Sequence, residues 1–529
     1  MAYHTLLYGF VFLPLCLIAY QMVPQRHRWK VLLAFSWLFF FIISRKLLIY
    51  LIGATVITHY TGVRLELLHA HEEKEKEEAA GRKKKEIRLK YQKRSRQVLS
   101  LGILMLLGVL IYLKYYNFFI HNIESIIDLS FLPFALHEKN LLLPVGISFY
   151  TLQAVGYMAD VYWGKIRAEE SLGRTALFLS FFPQIMEGPI CRYTDTADTL
   201  YAGRALTWEN LSEGYIRIFW GFFKKLIIAD RLSVIVGEIF GNYMEYKGAV
   251  VAVGAVAYTV QLYMEFSGCM DMVIGSGQVF GIRLPENFRQ PFCARSAAEF
   301  WRRWHISLGV WFKTYIFYPV SVSGIVKKWN SFGRKHAGKY LTRLVTSALA
   351  LFPVWLCNGL WHGARWSYIF YGMYYFTLIL AGMAVEPVRD RILALLHIHP
   401  DSFGWRTVQI AKTWLIIFTG ELFFRADGLR AGLHMFRSIF DGFEIRQLWD
   451  GTLFGLGLER ADFAVVAAGC IVVAVIGSLN ERGLIPRIHS LRLSEPVKWC
   501  TFYALIFAVL IFAAYGDGYQ AVDLIYAGF

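Results

Sequence analysis

His305 and His362 each stand in a block that does not look like ordinary transmembrane helix, and the block of His362 ends a long apolar stretch. The first block runs Leu284-Pro-Glu-Asn-Phe-Arg-Gln-Pro-Phe-Cys-Ala-Arg-Ser-Ala-Ala-Glu-Phe-Trp-Arg-Arg-Trp-His-Ile-Ser-Leu308, the second Cys357-Asn-Gly-Leu-Trp-His-Gly-Ala-Arg-Trp366. An imidazole in hydrocarbon is costly unless partnered, so a functional site is the first hypothesis at both positions. The chemistry it offers is general-base catalysis. Burial lowers the imidazole pKa from about 6.5 and keeps the ring a neutral proton acceptor. Asn358 stands four residues before His362 and would share its helix face. From there its amide could donate to the ring or to a developing oxyanion. Trp361 and Trp366 flank the imidazole. Pro353 is expected to kink the apolar run 341–361, leaving His362 at the end of a broken helix. Each histidine also has a plainer reading. His305 could anchor an interfacial helix, and His362 could simply hydrogen-bond between helices.

Other polar groups accompany them. Glu265 and Asp271 fall in the run 263–277 at membrane depth, where a carboxylate needs a partner. Apolar positions Phe300, Trp301, Trp304, Leu308 and Trp311 recur at helical spacing, with Glu299, Arg302 and Arg303 opposite. That pattern predicts one amphipathic helix over 299–315 at the cytoplasmic interface. Around the two imidazoles the candidate substrate-binding residues are therefore Asn358, Asp271, Glu265, Trp304, Arg302, Arg303 and Trp361. The glycines near Gly268, Gly275 and Gly277 are too irregular for a dinucleotide fingerprint, and no P-loop or nucleophile elbow occurs. His69 with His71, and His397 with His399, lack a third ligand nearby, so no metal site is expected. The seven cysteines are scattered, which argues for packing and against a disulfide framework.

The elements that position these residues must be membrane helices. A soluble chain of 529 residues could not hide 56% hydrophobic and 17% aromatic content. Apolar runs of about 20 residues, enough to cross a bilayer, recur throughout. Candidate spans lie near 3–23, 30–44, 46–66, 98–118, 140–162, 173–190, 212–240, 247–266, 341–361, 365–386, 407–424, 461–479 and 497–515. Some are short or interrupted, so about eleven to thirteen spans are expected, some re-entrant or interfacial. The run 181–193 holds two prolines and a glycine, and reads as a broken helix whose backbone must face protein or a water-filled cavity. Asp160 also needs a partner. The first apolar run lacks a basic flank and a cleavage site, so it reads as a retained helix.

Two segments carry nearly all of the net charge of +16: residues 72–96 at +5 and residues 283–343 at +10. The positive-inside rule puts both in the cytoplasm and the N-terminus outside. Residues 69–97, glutamates first and basic residues after, read as one charged cytoplasmic helix suited to its own dipole. Contact with anionic lipid fits it. Its mixed sign and its tethering between spans speak against nucleic acid.

Several runs resemble the bacterial branch of the membrane-bound O-acyltransferases in order and spacing. They are Phe182-Pro-Gln-Ile-Met-Glu-Gly-Pro-Ile-Cys-Arg-Tyr193, Phe266-Ser-Gly-Cys-Met-Asp271, Gly281-Ile-Arg-Leu-Pro-Glu-Asn-Phe288, Glu299-Phe-Trp-Arg-Arg-Trp-His-Ile-Ser-Leu308, Gly359-Leu-Trp-His-Gly-Ala364 and Phe423-Phe-Arg-Ala-Asp427. The resemblance implies an all-α, polytopic membrane domain over 1–529, a ring of helices around a central tunnel, with 283–366 as the catalytic segment. It makes His362 the near-invariant histidine of the family and His305 the second one. Glu187, where a small residue is usual, and the tail 523–529 depart from the family pattern.

The implied reaction moves an acyl group, most simply acetyl, from a cytoplasmic thioester to a hydroxyl outside. The donor would be acetyl-CoA or a phosphopantetheinyl carrier protein, used as substrate and not as bound cofactor. The acceptor would be an extracellular polymer or a secreted acyltransferase. His362 is then the general base, and His305 orients the acceptor or the thioester carbonyl. The 283–343 cations would draw the donor's phosphates. D-alanyl transfer to teichoic acid is the alternative within the class, and a polytopic transporter the alternative outside it.

Overall fold

The computed structural model describes residues 2–5, 7–125, 138–484 and 495–515, and all regular structure among them is helical. A π-helical turn, Leu7–Phe12, leads into α1 (Leu13–Met22), followed by α2 (Arg28–Ser44), α3 (Leu48–Glu77), α4 (Arg82–Glu124), α5 (Ile147–Tyr162), α6 (Leu172–Ser180), α7 (Phe182–Ile185) and α8 (Tyr193–Tyr201). Then α9 (Trp208–Phe222) passes through a π-helical stretch, Phe223–Ala229, into α10 (Asp230–Gly241), and α11 (Ala249–Gln278) succeeds it. The segment holding the two histidine blocks contains α12 (Ala297–Arg303), α13 (Ile306–Phe312), α14 (Tyr318–Ser321), α15 (Gly324–His336) and α16 (Gly338–His362). The chain continues through α17 (Trp366–Leu395), α18 (Phe403–Arg425), α19 (Leu429–Ser438), α20 (Arg460–Glu481) and α21 (Glu495–Phe512). The tail 523–529 lies outside the described residues.

Among the described residues six stretches are long and apolar enough to cross a membrane: Gln25–Glu77, Arg82–Glu124, Ala249–Gln278, Gly338–His362, Trp366–Leu395 and Arg460–Glu481. The first of them is two helices, because Arg45 at φ 44° opens a 3₁₀ turn between α2 and α3. Other expected spans are helical but differ in kind. The 140–162 run is helical only from Ile147 and is buried almost throughout; the 212–240 run carries buried Lys224, Lys225 and Arg231.

The residues divide into two compact units, one of Met1–Tyr215 with Val273–Pro285, the other of Ile216–Met272 with the described residues from Glu286 onward. In the first unit the 181–193 run is broken as expected. Helix α6 stops at Ser180, and the freed backbone is held by side chains. Tyr3 Oη donates to the Phe182 carbonyl at 3.0 Å and accepts from the Met186 N–H at 3.1 Å, while Ser36 Oγ accepts from the Phe182 N–H at 3.0 Å. Asp160 finds Lys165 Nζ at 3.3 Å.

The charged run 69–97 is not one helix. It is the tip of a hairpin: α3 ends at Glu77, Gly81 turns at φ 58°, and α4 starts at Arg82. The glutamates crowd the C-terminal end of one helix and the lysines the N-terminal end of the next, against both dipoles. Pairing across the hairpin offsets this, since Glu75 accepts from Lys90 Nζ at 3.1 Å and from Tyr91 Oη at 2.5 Å. A charged run without proline hid a break that glycine's access to positive φ allows.

Candidate active site

Both histidines lie in the second unit, and each is placed by a helix end. The amphipathic helix expected over 299–315 is interrupted. Helix α12 ends at Arg303, Trp304 is extended, His305 takes the left-handed conformation at φ 45°, ψ 53°, and α13 begins at Ile306. A non-glycine residue there costs of order 1–3 kcal/mol and persists only when its surroundings over-determine it. Asn287 does that. Its carbonyl accepts the Ile306 N–H at 2.9 Å, and its Oδ1 accepts the Ser307 N–H at 3.0 Å and the Ser307 hydroxyl at 2.9 Å. His305 Nδ1 lies 3.2 Å from the same oxygen. The Ser307 N–H can only donate, so the atom facing it is the amide oxygen. His305 Nδ1 must then carry a proton, and Nε2 carries the lone pair. Burial pushes the imidazole pKa down to about 3, so the ring stays neutral.

His362 is the last residue of α16 and is buried. The helix runs through Pro353 without ending, which corrects the expectation of a broken helix. Proline is tolerated within a membrane helix because neighbours and local adjustment re-satisfy the freed carbonyl. Termination comes at Gly363, where a Cβ would meet the Tyr368 ring at 2.7 Å. The imidazole sits edge-on to Phe424 (5.0 Å, 90°) and Tyr371 (5.8 Å, 86°). The two blocks meet at one side chain. Trp361 packs on His305 at 5.5 Å and on His362 at 4.9 Å, and Phe266 of α11 closes on His305 at 4.9 Å.

Asn358 is buried one turn before His362, and its Nδ2 has no hydrogen-bond partner among the described residues. A buried spare donor in a packed site fits a substrate oxygen. The other expected residues are engaged elsewhere. Glu265 pairs with the buried Lys225 at 3.3 Å. Asp271 takes Lys224 at 2.7 Å and Arg217 at 3.1 Å, and Arg217 forks onto Glu286 at 2.6 and 2.7 Å. These groups border a cavity of about 120 Å³ that reaches Asn287, so Asp271 stays next to the His305 support. Trp304 is buried, stacked on Phe300 at 5.3 Å and edge-on to Phe288 at 5.1 Å. Arg303 is held by Glu299 at 3.0 Å and Glu481 at 2.9 Å, while Arg302 is exposed. Among the described residues no three His, Cys, Asp or Glu side chains converge as a metal site would need.

Known proteins match this sequence. The membrane-bound O-acyltransferase family matches residues 170–333, a range that includes Asn287 and His305. The probable alginate O-acetylase AlgI of Pseudomonas syringae pv. tomato is 32% identical over 86% of this chain and 79% of its own length. This chain belongs to the membrane-bound O-acyltransferase family. More distant relatives carry other names. A peptidoglycan O-acetyltransferase of Helicobacter pylori is 29% identical over 64% of each chain. A teichoic acid D-alanyltransferase of Bacillus subtilis is 29% identical over 47% of this chain and 62% of its own length. The protein is thus a multi-pass membrane acyltransferase.

Two polar residues of this candidate site were not singled out from sequence. Asn287 was legible only as part of a motif, because nothing local shows an amide reaching 18 residues on to a ring. Glu421 was findable. It is a lone acid in the apolar run 413–424, the same signal that marked Glu265 and Asp271. It is fully buried on α18, with its Oε1 2.9 Å from the Tyr371 hydroxyl.

Proposed function

We propose that this acyltransferase moves an acetyl group from a cytoplasmic thioester to a hydroxyl of an extracellular polysaccharide, or of a carrier protein on the outer face. The observation that carries the reading is the pair of imidazoles on Trp361, one of them locked by Asn287 as a neutral acceptor. His362 acts as general base. Its place at the C-terminal end of α16 favours the cation that forms when it takes the hydroxyl proton. His305 presents a lone pair on Nε2, so it cannot donate to the carbonyl; it orients the acceptor by accepting from a second, neighbouring hydroxyl, leaving the reacting hydroxyl's proton to His362. Asn358 Nδ2 supplies the donor to the carbonyl. The thioester carbonyl carbon gains the acceptor oxygen and loses the thiolate, which takes up the proton held by His362. Acetyl is favoured over D-alanyl because the alginate O-acetylase likeness spans 86% of this chain and the D-alanyltransferase likeness 47%. Mass spectrometry of extracellular polymers from cells with and without the chain decides the acyl group. An unchanged acetyl content, or a lost D-alanyl ester, would overturn the acetyl reading. Labelled donor that itself crosses the membrane would favour a transporter.

Orientation rests on charge. The hairpin tip and the 283–343 segment face the cytoplasm in this reading, and the N-terminus faces out. Lys84 is exposed at the tip. In a chain whose exposed Cys293 and Cys500 are replaced by serine, Lys84→Cys should react with an impermeant thiol reagent only after cells are opened. Labelling of intact cells reverses the direction of transfer.

Donor binding depends on the basic segment. Lys327 and Lys328 lie exposed on α15, which also carries Arg334 and Lys335. Their reversal to glutamate should raise the apparent donor KM more than it lowers kcat, because the attraction is uniform through the reaction. High salt should mimic the change. Unaltered donor KM at low salt would make these lysines topology signals alone.

A further inference from the structure

Glu421 is a buried carboxyl that the mechanism above does not use. It is 1% exposed and sits on α18 where the neighbouring positions, Leu422, Phe423 and Phe424, are apolar and buried. A carboxyl at such depth is expensive and marks function by default. Packing alone would be served by leucine. Its surroundings tie it to His362. Tyr371 Oη donates to Glu421 Oε1 at 2.9 Å, and the same Tyr371 ring stands edge-on to the imidazole at 5.8 Å and 86°. Phe424, less than one turn beyond Glu421, covers the imidazole at 5.0 Å and packs on Tyr371 at 5.0 Å. Glu421 Oε2 has no hydrogen-bond partner among the described residues, so the bond from Tyr371 is the one that fixes the carboxyl. A phenol has two ring faces and one polar handle. Holding the handle fixes the ring, and the ring is one wall of the imidazole's cage.

We propose that Glu421 is a positioning residue for acyl transfer, acting through its hydrogen bond from Tyr371 to hold the aromatic wall against which His362 is set. The role is orientation, and it needs an acceptor at Oε1, not a charge. It rests on the reading of His362 as the base. Misplacement of a catalytic group by about 1 Å can cost roughly 10²-fold, so loss of one wall contact should be visible in kcat.

The test uses the full chain in native membranes, with kcat and donor KM measured separately. Tyr371→Phe keeps the ring and removes the handle. It should lower kcat by about 10- to 100-fold at unchanged donor KM. Glu421→Gln still offers an acceptor oxygen and should stay within about 3-fold of wild type, whereas Glu421→Leu should fall as far as Tyr371→Phe. The double variant Tyr371→Phe, Glu421→Leu should be no worse than either single change, because both break the same bond. Wild-type kcat in Tyr371→Phe overturns the proposal. So does a Gln variant as damaged as the Leu variant, which would mean that charge matters. If Tyr371→Phe fails to accumulate in the membrane, the Gln and Leu contrast decides alone. His362→Ala runs beside them. If it retains transfer, the reading of His362 as base fails; if it is inactive while Tyr371→Phe is normal, only the role of Glu421 fails.

Discussion

His362→Ala should lower acyl transfer by about 10²-fold or more, the ordinary weight of a general base, while the protein still accumulates in the membrane. The imidazole is the last residue of α16, and the helix it ends is fixed along its length by packing and, in this reading, by the bilayer. Removing the ring leaves a space among Phe424, Tyr371 and Trp361. Catalysis suffers more than structure because the proton has no other seat of comparable quality. The helix C-terminus favours an imidazolium by up to about 2 kcal/mol in partly buried geometries. His362→Gln should fail to restore transfer, since glutamine keeps a hydrogen bond but cannot take a proton. The comparison with His305→Gln assigns the roles. If His362→Gln transferred at near-normal rate and His305→Gln did not, the base would be His305, and His362 would be its hydrogen-bonded neighbour.

The two histidine blocks of the candidate site were legible in the sequence because hydrocarbon makes polar residues conspicuous. His305, His362, Glu265 and Asp271 stand out in apolar runs for a physical reason, the cost of leaving a polar group unpaired at depth. That cost identifies a residue but not its partner. Asp271 and Glu265 are satisfied by Lys224 and Lys225, two successive residues of the π-helical stretch that turn to different carboxylates. Helix existence was read well and helix continuity badly. Breaks at Gly81 and at His305 depend on single residues with positive φ. Pro353 misled in the opposite direction: α16 passes through it and ends at His362. The support for His305 was invisible for a different reason. Asn287 reaches it through tertiary contact, and an asparagine in a loop has the same local appearance whether it caps a distant helix or faces water.

That support makes Asn287 the second position of large effect. Asn287→Ala should reduce kcat by about 10² or more, although Asn287 neither takes a proton nor sits in either histidine block's helix. Its Oδ1 receives the Ser307 N–H, the Ser307 hydroxyl and His305 Nδ1. Without it the buried Ser307 N–H and the imidazole N–H lose their acceptor, a penalty of about 1–3 kcal/mol for each group. The ring is also released to place its lone pair on Nδ1, pointing away from the acceptor. Loss of the group that fixes a catalytic tautomer costs as much as about 10⁴ in a serine-protease triad, which sets the scale. Asn287→Asp separates geometry from charge. The carboxylate accepts the same three hydrogen bonds, so the tautomer survives, but it favours the charged imidazole and raises the His305 pKa from its depressed value of about 3. A histidine held neutral in the wild type would then protonate as the pH falls toward the ordinary imidazole range of about 6.5. Asn287→Asp should therefore work well at alkaline pH and lose transfer on acidification, with an acid limb shifted upward relative to wild type. Asn287→Ala should be poor at every pH. Measured kcat profiles of the two variants check both statements, and an Asp variant whose profile overlays the wild type would show that His305 does not have to stay neutral for transfer.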